Sequence, residues 1–178
     1  VGWFYPSSSS TEIDRYVVYN YAENVWSYGL LERHAWLDAG VEPLPRATKD
    51  GYLYDHEVGY NDDGSPMTDV YIESSDFDIG DGDQFAFITK MIPDVRFLEN
   101  SADGSINLVL KTRNFPGDSL TTSNTSAISS STQQTHIRAR ARQAVLRVES
   151  DDDNVSGNTS TGWRLGATRM EVRPDGRR

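Results

Sequence analysis

The sequence predicts an all-β protein: an antiparallel β-sandwich or flattened barrel preceded by a propeller-blade-like hairpin region. Three observations lead there. Apolar and polar residues alternate with period two, β-branched and aromatic segments recur along the chain, and clusters of Gly, Asn and Asp separate them.

The first element is a hairpin. Arg15 to Tyr21 is β-branched and aromatic, Ala22-Glu23-Asn24 turns the chain, and Val25 to Leu30 forms the return strand. A third short strand is expected around His34 to Leu37. Short aromatic strands at this density resemble one blade of a β-propeller, whose repeat of about 40–45 residues holds four strands. A single blade does not bury its own faces, and the sequence holds no second copy of the pattern.

Composition shifts after Pro43-Leu44-Pro45. The expected organisation is therefore a hairpin region over residues 1–45 and a sandwich-like domain over 46–178. Strands are expected over Tyr52–Glu57, Thr68–Ser74, Gln84–Phe97, Ser105–Phe115, His136–Ser150 and Trp163–Arg173, with turns at Asn61–Gly64, Gly80–Asp83, Ala102–Gly104 and Phe115–Asp118. Within Ser105–Phe115, Ile106, Leu108 and Leu110 share one face while Asn107, Lys111 and Arg113 share the other, the mark of a half-buried strand. Residues 119–135 are Ser/Thr-rich and are expected to form a polar loop or an arm ordered by a partner. The segment from Ser150 to Thr161 is expected to be a second polar loop.

Composition narrows the function classes. The chain has 178 residues and no cysteine, which removes disulfide scaffolds, thiolate zinc sites and cysteine nucleophiles. No stretch approaches the roughly 20 apolar residues of a membrane helix, so no membrane insertion is expected. A start at Val1, directly before an aromatic run, is expected of a piece of a longer chain. The formal net charge is −10, which opposes general nucleic-acid binding because phosphate contacts need a clustered positive surface. That sum hides an asymmetry: residues 1–135 hold 8 basic and 21 acidic side chains, net −13, and residues 136–178 hold 9 and 6, net +3.

The basic part contains the most informative segment, His136 to Val148. Strand alternation places Arg138, Arg140 and Arg142 on one face, opposite Ala139 and Ala141, while Ala144, Leu146 and Val148 continue the arginine parity. The face thus changes from cationic to apolar, as expected of a strand that runs out of the core into an interface, or of a bulge near Gln143. Arg138, Arg140 and Arg142 are the candidate subunit-interface residues, reaching acidic groups of a neighbour; a solvated or intramolecularly paired face is the plainer alternative.

Other motifs point to no chemistry. The acidic run Asp76 to Asp83 has Gly80 where an EF-hand needs its third oxygen ligand and Phe87 where it needs a Glu, so it is expected to be an acidic turn without metal. Glu12, Asp14, Glu57 and Glu73 are available for acid/base work, but chain spacing does not set the carboxylate separation of roughly 5–10 Å that glycoside hydrolysis requires. His34, His56 and His136 are scattered, and neither an HExxH nor a GxSxG pattern is present. No catalytic residue and no cofactor is expected. Trp3, Trp26, Trp36 and Trp163 are candidates for sugar stacking or for core packing.

Several strings taken in order resemble the tail nozzle proteins, also called tail tubular protein B, of short-tailed bacteriophages. They are Trp3 to Ser8, Asp14 to Tyr21 with Asn24-Val25-Trp26, Gly51 to Glu57, Asp76 to Gln84, Ile92-Pro93-Asp94, Leu110 to Gly117, Arg138 to Gln143, and Gly162 to Arg169 with Arg173 to Arg178. The resemblance spans nearly the whole chain and implies the C-terminal portion of a longer subunit. It further implies a structural virion protein in the tail: a subunit of a homo-oligomeric, hexameric ring that extends the DNA-ejection channel and helps retain packaged DNA. Implied partners are the portal adaptor and tail fibre or spike proteins, with double-stranded DNA passing through without specific binding. An acidic wall suits passage because it repels phosphate. The alternative is a virion-tip module that recognises host-surface glycan through exposed Trp and Tyr, and a third reading is a tail-associated glycan hydrolase.

Overall fold

The computed structural model describes residues 1–78, 82–98, 104–151 and 161–177. All regular structure among them is β, in several antiparallel sheets and no closed barrel. The chain divides into two compact units, Val1–Val58 and Gly59–Arg178.

The first unit holds two three-stranded meanders. Strands β1 (Gly2–Tyr5), β2 (Arg15–Asn20) and β3 (Val25–Leu30) pair in chain order. Asn24 closes the β2–β3 turn at φ 55°, a left-handed position that Asn tolerates. Strand β4 (Ala35–Leu37) does not extend this sheet. It pairs with β5 (Arg46–Lys49), which pairs with β6 (Tyr52–Asp55). The expected division at residue 45 consequently moves to residue 58, because β5 and β6 complete a sheet that β4 begins.

The turn joining β5 to β6 has the chemistry of the tightest hairpins. Lys49 faces Tyr52, and the two residues between them, Asp50 and Gly51, both have positive φ, 51° and 81°. This Asp-Gly pair twists with the strands it connects. A β-branched residue is strained in this backbone region, so Gly51→Val is expected to lower stability by about 1–2 kcal/mol. Hydrogen exchange should show the loss in β5 and β6 and leave the second unit unchanged.

The second unit is a sandwich. One sheet runs β12 (Thr121–Ile128), β11 (Ile106–Arg113), β14 (Gln143–Ser150) and β7 (Tyr71–Glu73), with β8 (Phe77–Asp78) also on β14. The other runs β13 (Thr135–Ala141), β9 (Ala86–Ile92) and β16 (Arg169–Pro174), and a short pair joins β10 (Val95–Phe97) to β15 (Trp163–Leu165). The core cluster draws Ile106, Leu108 and Leu110 from β11, Ile128 from β12 and Val148 from β14. From the other sheet come Ile88, Met91, Ile137 and Ala139. Ile106, Leu108 and Leu110 are fully buried, as their alternation predicts. The indole Nε1 of Trp163 donates to Ser150 Oγ at 3.0 Å, which satisfies its polar tip at the core margin.

Three expectations change. The loop expected over 119–135 contains strand β12, paired with β11 from Ile106↔Ile128 to Thr112↔Thr121. Thr is a good strand former, and an edge strand with one solvated face needs few apolar residues. The single strand expected over His136–Ser150 is two: β13 ends at Ala141, the chain bends at Arg142, and β14 begins at Gln143 in the opposite sheet. Such corners join sandwich sheets, and the inward residues beside this one are the small Ala139, Ala141 and Ala144. The strand expected over Gln84–Phe97 is likewise split into β9 and β10 around Pro93, which has no amide hydrogen for a ladder. Parts of the expected turns at 80–83 and 102–104, and most of the loop at 150–161, lie outside the described residues.

Candidate subunit-interface surface

The bend at Arg142 explains the change of face along the arginine segment. On β13 the residues between the arginines, Ile137, Ala139 and Ala141, are buried, while His136, Arg138 and Arg140 are exposed. Beyond the bend, Ala144 and Val148 point into the same core from the other sheet. Crossing between sheets thus resets the parity that the sequence makes puzzling.

The three arginines differ in what they touch. Arg140 Nε donates to Asp175 Oδ2 at 2.5 Å and its Nη2 to the Asp175 carbonyl at 3.1 Å, with the guanidinium 3.9 Å from the Phe85 ring centroid. Arg142 is a clamp. Its Nη1 donates to the carbonyls of Gly82 (3.0 Å) and Asp83 (2.9 Å), its Nη2 donates to that of Arg177 (3.0 Å), and its guanidinium lies 4.7 Å from Phe85 and 5.9 Å from Phe115. The side chain of Arg138 has no hydrogen bond or ion pair among the described residues. Arg138 is therefore the member of the set that is open to a neighbouring molecule, whereas Arg140 and Arg142 hold the C-terminal segment and the turn before β9.

The surroundings are cationic. Arg169 and Arg173 are exposed on β16, and Lys90 on β9 is half-exposed. Opposing charge comes from Glu171, which pairs with Arg173 and lies 3.8 Å from Lys90, and from Asp175. The Arg173 hydrogen bond, followed by that residue's charge, holds the Glu171 carboxyl below its usual range. The β13–β9–β16 sheet consequently presents a positive face on a chain of net charge −10.

Sequence reading misses the partners that distinguish the arginines. Phe85, Asp175 and the backbone carbonyls of residues 82, 83 and 177 lie 35 to 60 residues from the arginines they bind. Local spacing carries no trace of them.

Three of the four acid/base candidates, Glu12, Asp14 and Glu73, are engaged elsewhere, and Glu57 is exposed. Asp14 accepts from the backbone N–H and Oγ of Ser7, both at 2.6 Å, and this hydroxyl bond holds its carboxyl below the usual range. Glu12 lies 3.3 Å from His34 Nε2, and Glu73 pairs with Lys111 at 2.5 Å. A polar cleft of about 340 Å³ is lined by Asp69, Asn107, Arg147, Glu149 and Asp151 among others, but Arg147 is bound to Glu149 and lies over the Tyr71 ring. No group of three or more potential metal ligands occurs among the described residues, and the acidic turn at 76–83 lies partly outside them. Asp76, at its start, pairs with Arg113.

No family model matches the chain, and no curated protein matches its sequence. No helix among the described residues is long and apolar enough to cross a membrane.

Proposed function

We propose that the chain is a structural virion protein, a subunit of the tail nozzle ring of a short-tailed bacteriophage, working by assembly into a DNA conduit and not by catalysis. The ordered series of residue strings that resembles such proteins supports this reading, and an all-β architecture suits a rigid wall. One observation carries the assembly step. The exposed Arg138, without a partner among the described residues, stands on a cationic sheet face of an otherwise acidic chain. A head-to-tail contact between this face and an acidic flank of the next copy closes into a ring. The acidic remainder lets DNA phosphate slide past without binding.

Arg138→Glu tests the contact without disturbing the fold. Reversal at an exposed, unpartnered position should change stability by no more than about 0.5 kcal/mol. Ring assembly by the intact parent subunit should weaken, and the wild-type ring should loosen with added salt. Rings of undiminished stability would remove the arginine contact, and absence of the protein from purified virions would end the tail reading.

A second reading, glycan recognition at a virion tip, draws on the exposed tryptophans and tyrosines of the first unit. Binding of the isolated chain to a glycan array would favour it.

A further inference from the structure

Residues 31–34 connect the two meanders of the first unit, and three successive side chains fasten them to three different places. Glu32 accepts from Lys49 Nζ of β5 at 2.5 Å, and Arg33 donates through Nε to His56 Nε2, just beyond β6, at 3.1 Å. His34 Nε2 lies 3.3 Å from Glu12 Oε2 in the loop between β1 and β2. The backbone of the connector is pinned at both ends: Leu31 N–H donates to the Asp14 carbonyl at 3.0 Å and His34 N–H to that of Thr48 at 2.9 Å. A change of partners here falls to the side chains.

The two histidine contacts answer a proton in opposite ways. A neutral imidazole has one nitrogen that accepts, and in His56 that nitrogen receives the Arg33 bond. Protonating it removes the acceptor and sets a second cation against a guanidinium that keeps its own charge at any ordinary pH. The ring has little room to turn away. It is half-buried and lies against Trp36, ring centroids 4.7 Å apart, and the His56 backbone N–H is held by the Pro45 carbonyl at 2.8 Å. At His34 the sign reverses, because a charged imidazole makes an ion pair of the Glu12 contact.

The charged groups on the surrounding elements keep their state while histidine titrates. The Lys49 hydrogen bond, followed by the charge of Lys49, holds the Glu32 carboxyl below its usual range. Asp55, beside His56 on β6, is paired with Arg46 of β5 at 2.7 Å, and Asp14, in the same loop as Glu12, is bound to Ser7. Glu57 follows His56 and is exposed, and Arg33 also lies over the Tyr54 ring at 4.6 Å. Carboxylates and tyrosine titrate well away from the histidine value of about 6.5.

We infer that residues 31–34 form a proton-driven switch, tied to the end of β6 through Arg33 and His56 at neutral pH. In mild acid that tie is released and His34 takes hold of Glu12. The inference concerns the first unit and is independent of the ring contact at Arg138.

Amide hydrogen exchange of the full chain at about pH 7.5 and about pH 5.5, either side of the ordinary histidine value, tests it when each rate is referred to the intrinsic rate at that pH. Protection of residues 52–56 should fall about threefold or more in acid, with the second unit, which holds His136, unchanged. His56→Gln offers an amide oxygen that accepts without taking a proton, and should give the same protection at both pH values. If glutamine does not seat there, Arg33→Gln removes the cation instead and should also level the two. His34→Gln should deepen the acid loss, since the compensating pair with Glu12 does not form. Equal wild-type protection at the two pH values, or an acid loss that survives both His56→Gln and Arg33→Gln, would overturn the inference. An acid loss that His34→Gln leaves unchanged would overturn the transfer to Glu12.

Discussion

Leu108→Ala should lower the stability of the second unit by about 3–4 kcal/mol. Leu108 is fully buried at the middle of β11, the strand flanked on both sides in its sheet by β12 and β14. Removing most of its side chain forfeits the transfer free energy of the lost carbons and leaves a void. The surroundings cannot collapse into it, because two strands fix the β11 backbone and core residues of the facing sheet, Ile88 and Ile137 among them, are themselves fully buried. For a chain of this size the loss corresponds to a fall in midpoint temperature of about 10 °C. Trp163 packs against this core, so the fluorescence of a variant in which it is the sole tryptophan would follow the transition. Leu108→Met, which nearly conserves volume, should cost less than about 1.5 kcal/mol. If alanine cost no more than methionine, the core assignment would be wrong.

The contrast between β11 and β12 shows what the sequence reveals and what it withholds. Alternation in β11 announces its buried face because Ile106, Leu108 and Leu110 share one parity while the polar Asn107, Lys111 and Arg113 share the other, and β3 is equally legible at Val25–Leu30. In β12 only Ile128 is buried. Its other residues are small and, apart from Ala127, polar, so composition resembles a loop although Thr and Ser pair readily along an edge. The sheet that begins at β4 was hidden for another reason: its signal is the Asp50-Gly51 turn, two residues whose meaning depends on strands on both sides of it. At the candidate surface, sequence parity identifies Arg138, Arg140 and Arg142 as one exposed row but treats them as equivalent. Their difference arises from tertiary approach, because Asp175 and Phe85 meet Arg140 only when β16 and β9 assemble beside β13. Outward direction is a local property of a strand; availability is not.

That difference gives the second large effect. Arg142→Ala should destabilise the second unit by about 2–3 kcal/mol, whereas Arg138→Ala should change stability by no more than about 0.5 kcal/mol. Arg142 sits at the corner where β13 becomes β14, and its guanidinium supplies donors to three backbone carbonyls in two separate segments. Charged donors make stronger bonds than neutral ones, and the carbonyls left behind recover water only in part. The cation–π contacts to Phe85 and Phe115 disappear as well. Lysine should restore little, since one ammonium group does not reproduce the planar fork that spans the carbonyls of residues 83 and 177. Denaturant titration would rank the variants, and hydrogen exchange should show faster opening of residues 82–85 and 174–177 in Arg142→Ala alone. Simultaneous charge reversal of all three arginines is therefore a poor probe of assembly: it breaks the corner of the sandwich and the open surface together. Only the Arg138 substitution separates joining from folding, and equal destabilisation by the Arg138 and Arg142 substitutions would refute the division of roles.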